Sequence, residues 1–182
     1  MDLRIVKTRK GIREAFLNLR KNYIPEQIKV KDICSMALIN KTTFYKHYTD
    51  VFDLNKQIEE EAIDVFMDAL VEKDCLFEDP EKFIRAIARV AEEKQEYLQP
   101  VFRGSYDKMF QKLEKRFADY YRNLLGDDAD EVMITFAIGG ISYTLRELYF
   151  KKETRTEKIL SSVTSFINKV QEKYKKPASQ NI

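Results

Sequence analysis

The chain has 182 residues, 44% of them hydrophobic and 34% charged, and a formal net charge of +2 at pH 7. That length allows one domain or a small one joined to a larger one, with enough apolar residues for a real core. Its apolar runs are short and interrupted by charge and its N-terminus is basic and amphipathic, which argues against a membrane span or secretory leader and for a cytoplasmic protein.

The first helix is expected over residues 3–21, with Ile5, Ile12, Phe16 and Leu19 buried and Arg4, Lys7, Arg9 and Lys10 on a basic face. Tyr23-Ile24-Pro25 ends it. A short second helix over residues 30–37 buries Ile33, Cys34 and Ala37. Lys29 and Lys31 lie near its start, where free amides also favour a phosphate. Asn40 is a good N-cap, so a third helix can begin at Lys41 and run to residue 48 or 49. At about 100° per residue, Phe44 and Tyr48 lie i,i+4 on one inward face. Thr42 and Lys46 point away from that face with Thr43 beside them, and Tyr45 and His47 fall on the flanks.

A connecting helix over residues 52–71 carries Leu54, Ile58, Ala62, Val65, Phe66 and Ala69 at helical spacing. Asp79-Pro80 supplies a cap and a first-turn proline for a helix expected to end near Leu98, ahead of Pro100. Ser105 caps the next helix and Gly126 ends it. Asp128 with Glu131 gives a cap pattern for a helix to residue 152, and Thr154 or Thr156 opens the last one. Strand alternation is absent, and only five Gly and four Pro occur. The fold class expected is all-α.

The segment over residues 132–150, VMITFAIGGISYTLRELYF, is apolar on nearly every side. A helix hydrophobic all round has to be buried all round, so one flank needs a partner beyond its own neighbours. Gly139 and Gly140 each cost on the order of 1 kcal/mol against Ala in mid-helix, which a close helix–helix approach would offset. The last helix presents Ile159, Val163, Phe166 and Val170 as a matching stripe. Phe136, Gly139, Gly140, Tyr143, Ile159, Val163, Phe166 and Val170 are therefore candidate dimer-interface residues, against the simpler reading of a core helix in a monomer.

The first three helices suit a helix-turn-helix, with the third placed in a DNA major groove. Its outer face would meet base edges and its flanks the phosphates. Thr42, Thr43 and Lys46 are candidate base readers; Lys29, Lys31, Asn40, Lys41, Tyr45 and His47 complete the candidate DNA-binding set. Charge is distributed accordingly. Residues 1–56 hold twelve Lys and Arg against six Asp and Glu, and the remainder twenty against twenty-four. His47 is the single histidine and has no ligand-spaced companion, and Cys34 and Cys75 are too far apart for a zinc cluster, so neither metal nor cofactor is expected. No phosphate loop, nucleophile elbow or paired catalytic carboxylates occur, which makes an enzyme remote.

Ile28, Val30, Asp32, Ile33, Ala37, Ile39, Thr43, Phe44, Tyr45, His47 and Tyr48, continuing to Leu54, follow the pattern I-x-V-x-D-I-x-x-x-A-x-I-x-x-x-T-F-Y-x-H-Y. This pattern resembles the TetR family of bacterial transcription regulators. The resemblance implies a helix-turn-helix head over residues 1–52 and a sensing and dimerisation body over residues 53–182. It further implies phosphate contacts from Tyr45 and His47, a homodimer through a four-helix bundle, double-stranded palindromic operator DNA and a small-molecule effector. Phe83, Ile87, Phe102, Phe110 and Tyr121 are the candidate pocket residues on this view. The turn is Ala37-Leu38-Ile39, without the glycine usual there that eases a positive φ. The F-x-x-G-G-I and L-R-E-L run from Phe136 resembles a subgroup in which some members activate or act through protein partners. A repressor released by an effector is the default expectation, and a TetR-like protein acting through a partner is the alternative.

Overall fold

The computed structural model describes residues 3–70, 76, 78–128, 130–151, 161–166, 168 and 169, and among them there are helices and turns but no strands. The all-α expectation holds. In chain order the helices are α1 (Leu3–Arg20), α2 (Val30–Met36), α3 (Lys41–Tyr45), α4 (Val51–Ala69), α5 (Pro80–Glu93), α6 (Gln95–Phe102), α7 (Tyr106–Leu125) and α8 (Glu131–Lys151). Packing divides the chain into two compact units. One comprises Met1–Phe66 with Glu93–Met109, and the other Met67–Glu92 with Phe110–Ile182.

In the first unit α1 packs on α2 and on α6, and α2 packs on α3. The inward stripe of α1 is Ile12, Ala15, Phe16 and Arg20, at the i, i+3, i+4, i+8 spacing of one helical face. Ile5 was expected in that stripe and is exposed instead, because burial on α1 begins only at its second half; Leu19 is half-buried.

The stripe ends on a charge. Arg20 is fully buried, and its guanidinium donates to Tyr23 O at 3.0 Å, Val101 O at 2.7 Å and Arg103 O at 3.0 Å. Arg103 answers with its own Nη1, 2.6 Å from Lys21 O. Burial holds the Arg20 pKa below its usual value, with nearby Glu59 opposing that shift. Glu59 is itself buried and accepts from Asn55 Nδ2 at 2.7 Å. Beside Arg103, Gly104 takes φ +78°, and a Cβ there would stand 2.9 Å from Ile24 Cγ2. Only glycine permits both that dihedral and that approach.

Residues 79–98 were expected as one helix stopped by Pro100. They form two, broken at Lys94 (φ −97°, ψ 4°), and Pro100 lies inside α6. The break restarts the ladder, since Tyr97 N and Leu98 N both donate to Lys94 O. Pro100 then leaves one vacancy in a helix of only two turns.

In the second unit α5 buries Phe83, Ile84, Ala86, Ile87 and Val90, and α7 contributes Phe117 and Tyr121. Phe83 meets Phe117 edge-on at 5.5 Å between centroids and Tyr121 at 6.5 Å, while the Tyr121 hydroxyl accepts from Leu76 N at 3.3 Å. Asp79 Oδ1 accepts from Lys82 N at 3.0 Å, the expected cap. The cap of α8 is Asp130 and not the expected Asp128: Asp130 Oδ1 accepts from Met133 N at 2.9 Å, whereas Asp128 lies in the 3-10 turn Gly126–Asp128. Glu131 is turned to Arg122 Nε at 2.8 Å instead of completing a capping box.

Removing the Arg20 guanidinium strands three carbonyl acceptors, one of them in a buried bond. Leaving buried polar groups unpaired costs about 1–3 kcal/mol each. Arg20→Ala is therefore expected to destabilise the protein by about 3–5 kcal/mol, and Arg103→Ala, whose bond is exposed, by about 1 kcal/mol or less. Urea unfolding of both variants measures this, and equal losses would contradict the assigned role of Arg20.

Candidate nucleic-acid interface

The start of α2 is extended at Lys29 (φ −105°, ψ 145°), and no side chain caps it. Lys29 and Lys31 are exposed there beside the half-buried Asp32. The helix buries Ile33 and Cys34 and ends at Ala37, whose N–H donates to Ile33 O at 2.8 Å. Burial raises the Cys34 pKa, with Lys41 opposing, so this thiol is a packing group.

The turn then enters the left-handed region at Leu38, φ 54°, and Ile39 N closes it on Cys34 O at 3.0 Å. This is the conformation that glycine provides at no steric cost. Here Leu38 adopts it with its side chain 91% exposed, so no burial within the described structure offsets the strain.

Asn40 starts α3 as expected. Its Oδ1 accepts from Thr43 N at 2.7 Å and from Thr43 Oγ1 at 2.9 Å. Phe44 and Tyr48 are buried as the pair that seats the helix, 5.7 Å apart between ring centroids. The regular helix is shorter than expected and ends at Tyr45, with Lys46 and His47 in the following turn. Lys46 N contacts Thr42 O and Thr43 O together, and His47 N donates to Phe44 O, so the last turn tightens before the chain reaches α4.

Lys41, Thr42, Tyr45 and Lys46 are thereby exposed, and Thr43 and His47 are half-buried. The Tyr45 ring stands edge-on to Phe44 at 5.5 Å, which braces it while its remaining surface faces outward. Lys29, Lys31, Asn40, Lys41, Thr42, Thr43, Tyr45, Lys46 and His47 all belong to one compact unit and to two consecutive short helices with their turns. Such a surface offers ammonium, hydroxyl and amide donors on an apolar seat, which is what phosphate and base-edge recognition require. Arg9, placed by sequence on the basic face of α1, is engaged internally: its guanidinium lies 5.9 Å over the Tyr48 ring and donates to Gln57 Oε1 at 3.3 Å.

The start of α4 has a feature the sequence reading missed. Asp53 N donates to Asp50 Oδ1 at 2.8 Å, and Thr49 N donates to Asp53 Oδ2 at 2.9 Å. The bond from Thr49 N, and then that from the Gln57 side chain, lower the Asp53 pKa. The D-x-x-D spacing was the available signal. Asp53 thus fixes the loop between α3 and α4, where Val51 is a buried core residue.

The other candidate residues fall as follows. Phe83, Ile87 and Tyr121 are packed in the second unit, Phe110 is half-buried there, and Phe102 is buried in the first unit. On α8, Ile134, Ala137, Ile138 and Ile141 are buried, while Val132, Phe136 and Tyr143 are 76%, 61% and 58% exposed. Gly139 turns towards α7, where a Cβ would lie 3.8 Å from Glu114 Oε1, and Gly140 has open space. Val132, Phe136, Gly140 and Tyr143 therefore form one exposed stripe at i, i+4, i+8 and i+11. Phe166 is 45% exposed with its ring 5.4 Å from Phe136, and Val163 is half-buried. Ile159, Val170 and Cys75 lie outside the described residues. No group of three metal-ligating side chains occurs among the described residues, nor a helix long and apolar enough to cross a membrane.

No family model matches this sequence, and no curated protein matches it. Among solved structures, the dihydroxyacetone kinase operon activator DhaS shares the fold with a TM-score of 0.55 and 19% identity, over 91% of this chain and 96% of that chain.

Two outcomes test the local accounts. Left-handed geometry costs leucine about 1–2 kcal/mol, and the extra unfolded-state freedom of glycine returns about 0.4–1 kcal/mol of that. Leu38→Gly is expected to stabilise the protein by about 0.5–1 kcal/mol in denaturant unfolding, and a destabilised variant would show that the leucine has a folded-state partner. The folded pKa of Asp53 is depressed, so its contribution is present above the unfolded pKa and fades as pH falls through the folded one. Stability measured against pH should show Asp53→Asn below wild type at neutrality and converging with it in acid.

Proposed function

We propose that this protein is a dimeric, sequence-specific DNA-binding transcription regulator of the TetR type. The observation that carries the reading is α3, whose apolar side is buried through Phe44 and Tyr48 while Lys41, Thr42, Tyr45 and Lys46 stand exposed beside the Asn40 cap. Residues 1–52 serve as the DNA-binding head and residues 53–182 as the sensing and dimerising body, in a cytoplasmic protein that is not an enzyme. In the head, Lys29, Lys31, Lys41, Tyr45 and His47 hold phosphates, and Thr42, Thr43 and Lys46 face base edges beside the Asn40 cap. The likeness to DhaS supports the fold on which this reading depends.

The exposed stripe of Val132, Phe136, Gly140 and Tyr143 is the proposed dimer contact, together with Phe166 and Val163. A contiguous apolar face of this kind marks an interaction surface. An isologous contact also gives the two-fold symmetry that a palindromic operator mirrors. Gly139, directed at Glu114, serves internal packing on this reading, and Gly140 supplies the close approach.

The body binds a small-molecule effector whose occupancy releases a repressor from its operator. The buried aromatic group of Phe83, Phe117 and Tyr121 is where such a ligand would displace packing side chains. A second reading is a TetR-like coactivator that acts through a protein partner with weak or no DNA binding of its own. Its activating role, though not the partner, is favoured by one observation, that DhaS is named as an operon activator.

Selection of duplexes from a random pool by the full-length protein tests the reading, with light scattering at micromolar concentration. The expected outcome is a dimer that recovers a symmetric sequence. Lys41→Ala should weaken all sequences alike and reduce the slope of log affinity against log salt by about one for each phosphate that a subunit no longer neutralises. A protein that stays monomeric, or that recovers no sequence, contradicts it.

A further inference from the structure

We propose that Asn40 reads the operator purely as a hydrogen-bond donor, which makes it a specificity-determining residue that favours guanine on the strand it contacts. This rests on the DNA-binding reading above and adds the identity of the base that one residue selects.

The inference starts from the double engagement of one atom. Thr43 N and Thr43 Oγ1 both reach Asn40 Oδ1, at 2.7 Å and 2.9 Å. A backbone N–H can only donate, so the atom it meets is the amide oxygen, and the orientation of the amide follows from the chemistry of its partner. An amide oxygen has two lone pairs. Both are occupied by Thr43, and the Thr43 hydroxyl has committed its proton in the same bond. What Asn40 still offers is its Nδ2 group with two N–H donors, on a side chain that is exposed.

That asymmetry changes what an asparagine reads. With both ends free, asparagine pairs with adenine by donating to N7 and accepting from N6–H. Here the accepting end is spent on holding the helix start, so the adenine pairing is closed off. A donor-only group finds two adjacent acceptors on guanine, N7 and O6, and one on thymine, O4. Adenine places a donor beside its acceptor, and cytosine presents a donor alone. The order of preference is guanine, then thymine, then adenine, with cytosine last. Thr43 is left with acceptor capacity and its methyl group. The two side chains are therefore not interchangeable readers, although each is small and polar and they lie within one turn of each other. The cap also holds the reading group in place before DNA arrives, which lowers the ordering cost of binding.

The test takes a duplex that the full-length wild type recovers from a random pool and replaces each base pair in turn. Wild type should show, at one position in each half-site, a preference for guanine over cytosine of about tenfold. Asn40→Gly retains most of the capping stability and removes the donors without adding charge. It should flatten that position and leave the others as they were. Asn40→Asp caps as well as asparagine and presents acceptors only. It should reverse the preference from guanine to cytosine at the same position, beneath a sequence-independent loss of affinity from its charge. Thermal unfolding of both variants near wild type confirms that α3 is intact. If wild type recovers a sequence but both variants keep its preferences, or lose affinity equally at every position, Asn40 is a cap or a phosphate ligand and the proposal is overturned while the DNA-binding reading stands. If wild type recovers no sequence at all, both fall together.

Discussion

The buried guanidinium of Arg20 is the constraint on which the first unit depends. A buried arginine is tolerated only where acceptors meet its charge, and three main-chain carbonyls meet Nη1 and Nη2 here, those of Tyr23, Val101 and Arg103, while the buried Nε has no hydrogen-bond partner among the described residues. One of these carbonyls follows α1 directly and the other two lie about eighty residues later, at the end of α6. The chain leaving α1 is thereby tied at both edges of its first turn, by Arg20 from inside and by Arg103 from the surface at Lys21. The left-handed backbone at Gly104 lets the two segments close on Ile24 without a side chain between them. Everything downstream in this part of the first unit, from the 3-10 turn Pro25–Gln27 to α2 and α3, begins from that anchored point.

Two opposing local effects meet at the turn between α2 and α3. Leu38 carries the strain of a left-handed conformation with its side chain in solvent, a net local cost. Two residues later Asn40 recovers about 1 kcal/mol through its cap, the usual contribution of such a residue. The buried pair Phe44 and Tyr48 then holds a five-residue helix that would have no stability in isolation. Tertiary burial, not helix propensity, makes α3 a helix. The same burial leaves its polar residues facing outward, so the packing that stabilises the element also presents its chemistry.

The length of α8 shows how a sequence pattern can run ahead of a single chain's packing. Its residues are apolar around most of the circumference, yet the side that is buried carries Ile134, Ala137, Ile138 and Ile141. The two adjacent glycines separate into different environments because neighbouring helix positions differ by about 100° in direction. Gly139 faces a glutamate on α7 and Gly140 faces outward beside Phe136 and Tyr143.

Local rules made much of this protein legible in its sequence. The all-helical class, the caps at Asn40 and Asp79, and the inward pair Phe44 and Tyr48 follow from spacing and capping chemistry, which act over three or four residues. Helix α7 begins after Ser105 as expected, but the Ser105 hydroxyl donates to Phe102 O instead of capping it. The missing turn glycine also pointed to the strained position at Leu38. What depends on distant partners was settled only by the fold. Nothing near Arg20 signals that it is buried, because two of its acceptors come from the end of α6. Ile5 carries the right residue type for a core and is exposed because no described element covers it. The division between α5 and α6 at Lys94, and the choice of Asp130 over Asp128 as the cap of α8, turn on how the ladder restarts and on the pull of Arg122 on Glu131. Periodicity reports which face of a helix is apolar; only the assembled chain decides which part of that face another element reaches.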